Sequence, residues 1–283
     1  MNSIFDSILS AIIYLIATFA LFFIGKMVYS LFHPKVNVKE ELVFKDNFAF
    51  ATAHVGYFIG LLLAIGSALS GPSDGIVSDL IDLTIYGLLG IVLLNFSVFI
   101  NAKIILRKFN VAKEILTDQN TGTGVIEGAN AIATGLIIFG AVSGDGGNVF
   151  TTVGFWIIGQ TLIIVSTIVY AALLPYDVHE QIEKDNVAAG IGFAGAIIAI
   201  ANLIRYALMP DFESWTISFT TIGIDFLIGM AFLPIARLAA DKILLPGQKL
   251  TNEIVNQEKP NHGAALIEAF AYIGGSVLIT WAI

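Results

Sequence analysis

Lys45-Asp46-Asn47-Phe48-Ala49-Phe50-Ala51 opens an apolar run that continues to Leu69, and Lys184-Asp185-Asn186-Val187-Ala188-Ala189-Gly190 opens a second that continues to Met209. A helix rises about 1.5 Å per residue, so each run can cross a hydrocarbon layer of about 30 Å. Working outward, six further runs are long enough to do the same: Ile4 to Phe32, Ile76 to Leu106, Gly122 to Val142, Val149 to Leu174, Trp215 to Ile243 and Gly263 to Ile283. The runs from Ile76 and from Trp215 exceed a perpendicular crossing and predict tilt or an extension beyond the lipid. The first run carries Asp6 and no Lys or Arg before Ser10, and it is too long for a cleaved signal peptide, so it reads as a span. The fold class is therefore all-α: a polytopic transmembrane helix bundle of about eight spans.

Composition points the same way. Apolar residues make up 57% of the 283, charged residues 13%, and the mean hydropathy is +0.85. No single soluble core of this length could hide that much apolar surface from water. Cysteine is absent, which excludes disulfides, thiolate metal sites and cysteine nucleophiles. His33, His54, His179 and His262 form no ligand-spaced pair, so no metal site is predicted. A net charge of -8 without a basic stripe argues against nucleic acid. No cofactor motif is present, and the parts outside the spans are too short to house a catalytic domain, so an enzyme is not expected.

The fourteen basic residues set the orientation. Lys26, Lys35, Lys39 and Lys45 surround the first loop, Lys103, Arg107, Lys108 and Lys113 the third, Lys184 the fifth, and Arg237, Lys242, Lys249 and Lys259 the seventh. Arg205 stands toward the other face. Short Lys/Arg-rich loops stay in the cytoplasm, which places both termini outside. Ser70 to Gly75, Ser143 to Asn148 and Pro210 to Ser214 are then outer turns, with Asp74, Asp145, Asp211 and Glu213 and no basic residue. Gly-Asp-Gly-Gly at 144–147 is a turn and not a phosphate loop, because no strand precedes it and no Lys-Ser/Thr follows.

The two opening stretches also reveal a duplication. Lys45-Asp46-Asn47 lies over Lys184-Asp185-Asn186 at an offset of 139, and the same offset places Gly56 over Gly195, Gly90 over Gly229 and Lys103 over Lys242. After a two-residue insertion Asn120-Thr121-Gly122 aligns with Asn261-His262-Gly263 and Ile126-Glu127 with Ile267-Glu268; upstream, Val28-Tyr29 and Pro34 resemble Val169-Tyr170 and Pro175. Polar positions shared at one offset are not what apolar helices align by chance. The expected halves are residues 1–143 and 144–283. Four spans is an even number, so the halves keep one orientation and are not inverted.

Asp46-Asn47-Phe48-Ala49-Phe50-Ala51 and Asp185-Asn186-Val187-Ala188-Ala189-Gly190, with a glycine-bearing second span and an Asn-containing loop before the last, resemble the YjfL-like bacterial inner-membrane family twice over. That resemblance implies a multi-pass topology in the bacterial inner (cytoplasmic) membrane and a link to envelope-stress membrane proteins, and it implies no catalytic residues. Gly60 falls over Ala199 and His54 over Phe193, so any role of those two belongs to one half.

An ionisable side chain inside a span costs about 2.5–3.5 kcal/mol on insertion scales and calls for a partner or a function. Glu127 and Glu268 are equivalent, five residues after Gly122 and Gly263. Asp225 lies ten residues beyond Trp215, near the midplane, and its counterpart Tyr86 offers a hydroxyl. His54 is placed at a depth where it could pair with Glu127. These five form a candidate ion or proton path; Asp79, Asp82 and Arg205 form a candidate outer vestibule, with Arg205 free to reach Asp211, Glu213 or Asp225. Asn47, Asn186, Gly56 and Gly195 read as structural members of the repeat. The function expected is transport or conduction of a small cation, protons included, at a site between the halves. The alternative is a non-transporting scaffold that binds lipids or envelope proteins through the 35–46 and 246–261 loops. Lipid is the one certain partner, and a homo-oligomer fits this class.

Overall fold

The computed structural model describes residues 2–71, 73–106, 110–244 and 247–282; Arg107, Lys108, Pro246 and Ile283, used above, lie outside them. Eleven α-helices follow in order: α1 (Asn2–Phe32), α2 (Phe48–Gly66), α3 (Ile76–Ile104), α4 (Val111–Leu116), α5 (Thr121–Val142), α6 (Val149–Leu173), α7 (Val178–Glu183), α8 (Val187–Leu208), α9 (Trp215–Ala239), α10 (Leu250–Val255) and α11 (His262–Ala282). Glu40–Phe44 and Ala240–Leu244 form single π-helical turns, and no strand occurs among the described residues. Helices are the only open-chain solution in lipid, because every backbone N–H and C=O must find its partner within the segment. Seven of the described helices are long and apolar enough to cross a membrane; α9 carries a shorter apolar run, Trp215–Ala231, before Pro234. The protein is a polytopic helical membrane bundle.

The spans alternate in character. α1, α3, α6 and α9 are peripheral; α2, α5, α8 and α11 form a row through the middle, α2 packing on α5, α5 on α8 and α8 on α11. All four inner helices start at the end of the bundle that carries the Lys-rich loops, here the basic end, and so run parallel. Small residues set their spacing. A Cβ on Gly56 would overlap the backbone of Gly128, and one on Gly60 the carbonyl of Ala131. The α5–α8 seam between the halves is closed in the same way, with Gly190 against Gly122 and Gly140 against the backbone of Arg205. Without a hydrophobic drive between helices in lipid, such backbone contact is the main source of attraction.

A finer repeat sits at the basic end. Asn47, Asn120, Asn186 and Asn261 each cap an inner helix, their Oδ1 accepting from Phe50 N at 3.0 Å, Thr123 N at 3.0 Å, Ala189 N at 3.1 Å and Ala264 N at 3.0 Å. The same Asn donates Nδ2 to an upstream side chain: Glu41 at 2.8 Å, Glu114 at 3.1 Å, Gln181 at 2.9 Å and Glu253 at 2.9 Å. The first three also reach forward into the next unit, to the carbonyls of Ile115 (2.8 Å), Ile182 (2.7 Å) and Ile254 (2.9 Å). The residues just before them, Asp46, Gln119 and Asp185, hold φ of 48°, 54° and 60°. Each half is thus itself doubled, and the chain is four units of peripheral span, short basic-end turn or helix, and Asn-capped inner span.

The row ends rather than continuing. Beside its seam α2 exposes Val55, Ile59 and Leu62 to the surroundings, and α11 exposes Leu266, Phe270, Leu278 and Trp281. Bulky apolar side chains replace the glycines and alanines of the inner seams, as terminal units of a repeat array must when lipid is the next neighbour.

Candidate functional site

Glu127 lies seven residues into α5 from its cap, about 10 Å along the helix. It lines a cavity of about 210 Å³ whose walls all come from the first half: Tyr29 from α1, Phe50 and Tyr57 from α2, and Asn95, Val98 and Phe99 from α3 are among them. The cavity reaches the basic end through His33 and α4. Glu127 Oε2 is buried with no hydrogen-bond partner, and no ion pair joins Glu127 to any described residue. Two of the polar wall groups are already committed: Asn95 Nδ2 donates to Tyr57 Oη at 3.0 Å, and the Tyr57 hydroxyl donates to the Gly25 carbonyl at 3.2 Å. Burial pushes the His33 imidazole below its ordinary value, which favours its neutral form.

The equivalent carboxylate has a different fate. Glu268, 1% exposed, faces Arg237 Nε at 3.5 Å, an ion pair in which neither carboxylate oxygen accepts a hydrogen bond. Tyr170, the counterpart of Tyr29, donates its hydroxyl to Tyr272 Oη at 3.0 Å beside this pair. By the offsets of the two halves, Arg237 stands where the first half has Val98, and Tyr272 where it has Ala131; both Val98 and Ala131 line the Glu127 cavity. The correspondence is structural as well: Gly90 lies against Ala64 and Gly229 against Leu203, again 139 residues apart. Two aliphatic residues in one half are an arginine and a tyrosine in the other.

Over residues 3–142, and again over 146–283, the chain matches DUF350, a Domain of Unknown Function. The chain belongs to the DUF350 family. A UPF0719 transmembrane protein from Aquifex aeolicus (strain VF5) is 24% identical over 275 residues, which cover 95% of this chain and 98% of that protein. No solved structure matches. The two family copies are the tandem doubling read from the KDN stretches; the YjfL name does not accompany the match.

Within the two DUF350 copies, several sequence expectations are redrawn. His54 does not pair with Glu127: it stacks on Phe50 and lies among Tyr29 and Phe58, with Nδ1 unpartnered, because aromatic neighbours on α1 and α2 enclose it first. Asp225 and Tyr86 sit at equivalent positions of separate copies and do not meet. Asp225, on α9, is half-buried and makes no hydrogen bond or ion pair among the described residues, while Tyr86 faces a second cavity at the acidic end. Arg205 reaches neither Asp211, Glu213 nor Asp225; its Nε donates to Asn202 Oδ1 at 3.1 Å and one terminal nitrogen contacts Met209 Sδ at 2.9 Å, nearer acceptors within its own helix turn. Asp211 instead accepts from Asp145 N at 2.8 Å. Asp79 is occupied by its own loop, accepting from Ser73 Oγ at 2.6 Å, Asp74 N at 3.1 Å and the Tyr14 hydroxyl. Only Asp82 of that expected vestibule lines the acidic-end cavity, which measures about 240 Å³ and includes Asp74, Asp145 and Tyr86. Glu127 and Glu268 occupy separate sites, one in each copy, because the α5–α8 seam leaves no room for a shared one.

Arg237 is the functional-site residue that sequence reasoning misses. Charge segregation groups it with the basic loop of the seventh span, yet it turns into the bundle. The signal in the sequence is its alignment over Val98, a core position of a span.

Proposed function

We propose that this membrane protein carries a small cation, protons included, along the α3–α5 pair of its first copy, with Glu127 as the binding group. The observation that carries this reading is that Glu127, which lines a formed cavity, has no ion pair among the described residues, since an intramembrane carboxylate is costly unless it is paired or in use. Two further features support it. The inner cavity and the acidic-end cavity border the same two helices: Asn95 and Ala131 line the first, Tyr86 and Ala141 the second. On α5 only ten residues separate them, about 15 Å of rise. Asn130, one turn beyond Glu127, is fully buried and interacts with its carboxyl group. The basic end faces the cytoplasm in this reading, both termini lie outside, and the membrane is the bacterial cytoplasmic one.

Proteoliposomes of the full chain should pass protons or a monovalent cation, with the flux of Glu127→Gln reduced tenfold or more and that of Asp225→Asn unchanged. Full flux in Glu127→Gln would end the proposal. The closed α5–α8 seam favours a second reading, a scaffold that transports nothing. Under it the wild type shows no flux above empty liposomes, and exchanging the 35–46 loop removes a binding partner while the fold persists.

A further inference from the structure

The two copies pose one chemical question in two forms. Each sets a glutamate on the inner helix beside a tyrosine of the first span, Glu127 with Tyr29 and Glu268 with Tyr170. In the second copy the carboxylate is answered by a guanidinium carried on an aliphatic stem, Arg237, and the adjoining space is closed by the Tyr272 ring. In the first copy Val98 and Ala131 withhold both groups, and a cavity of about 210 Å³ remains in front of the carboxylate.

The walls select among cations. A hard divalent ion takes six or more oxygen ligands, and this cavity offers Glu127, the Tyr29 hydroxyl, and the Tyr57 hydroxyl and Asn95 amide that are already hydrogen-bonded, fewer than such an ion needs. Its walls are instead rich in aromatic rings, those of Tyr29, Phe50, Tyr57 and Phe99. Aromatic faces attract organic cations, and one wall already holds such a contact, Lys103 Nζ standing 4.0 Å from the centroid of Phe99. The volume suits a body of several heavy atoms, since one water occupies about 30 Å³ of liquid.

We infer that the Glu127 cavity is a binding site for an organic monocation, a guanidinium or ammonium group on a short apolar body, and that Arg237 of the second copy is the tethered counterpart of that ligand. This deepens the proposed function and rests on its choice of Glu127. The second copy, already neutralised from within, binds none.

The test is calorimetric titration of the full chain in nanodiscs with n-propylguanidinium, which reproduces the end of an arginine side chain. One equivalent should bind per chain. Glu127→Gln and Val98→Arg should each weaken binding tenfold or more, the second by supplying the cation from the protein itself; Val98→Arg should also melt no lower than the wild type, which guards against loss through misfolding. Absence of saturable binding, undiminished binding in both variants, or equal competition by sodium at the same concentration would overturn the inference. Glu127-dependent flux without n-propylguanidinium binding would leave the transport reading standing and remove this one. Binding at Glu127 without any flux would do the reverse.

Discussion

Glu127 and Glu268 occupy matched positions, and their stabilities should respond in opposite ways. Breaking a buried ion pair strands the remaining charge at a cost of about 3–5 kcal/mol. Arg237→Met, which leaves Glu268 alone in its pocket, should therefore lower the melting temperature in detergent sharply, and adding Glu268→Gln should recover most of the loss. Glu127 has no such partner to lose, so Glu127→Gln should be neutral or stabilising in the same assay. A large destabilisation by Glu127→Gln would mean that its carboxylate holds the bundle together, against the role argued for it. The cap residues are graded too. Asn120→Ala removes a helix cap and the bond to the Ile182 carbonyl of the next unit, about 1–3 kcal/mol in all. Asn261→Ala removes a cap that makes no such cross-unit bond among the described residues and should cost about 1 kcal/mol, read from paired thermal melts.

At the level of elements, the inner row depends on backbone approach, and the glycines in it are not interchangeable with those elsewhere. Gly56→Leu would drive a side chain into Gly128 and force α2 and α5 apart, an overpacking cost of about 1–3 kcal/mol or more. At Gly66, the far end of α2, an added Cβ would meet nothing within 4 Å, so Gly66→Ala should leave the melting temperature within a degree or two or raise it slightly. The helices themselves are legible from hydropathy, because lipid permits little else. The two-copy repeat is legible from polar residues at one offset. The four-unit repeat is not, since its marks, Glu41 with Asn47, Glu114 with Asn120, Gln181 with Asn186 and Glu253 with Asn261, are unequally spaced and become one motif only when the same hydrogen bonds are seen to recur.

For the molecule as a whole, the absence of cysteine makes topology directly measurable. Single cysteines introduced at Lys39 and at Asp74 should be labelled by an impermeant maleimide from opposite sides of the membrane, Asp74 from outside intact cells. Labelling of both from one side would refute the alternating path of the spans. Chain composition, span lengths and the segregation of lysines and arginines are properties of segments, and lipid reads them segment by segment; they need no knowledge of contacts. Which carboxylate is paired, that Arg237 turns inward, that the seam between the halves is shut and that a cavity lies beside Glu127 depend on residues more than thirty positions apart meeting across helices. Hydropathy carries no record of such meetings, because a side chain facing lipid and one facing a neighbouring helix are both apolar. Packing alone separates them.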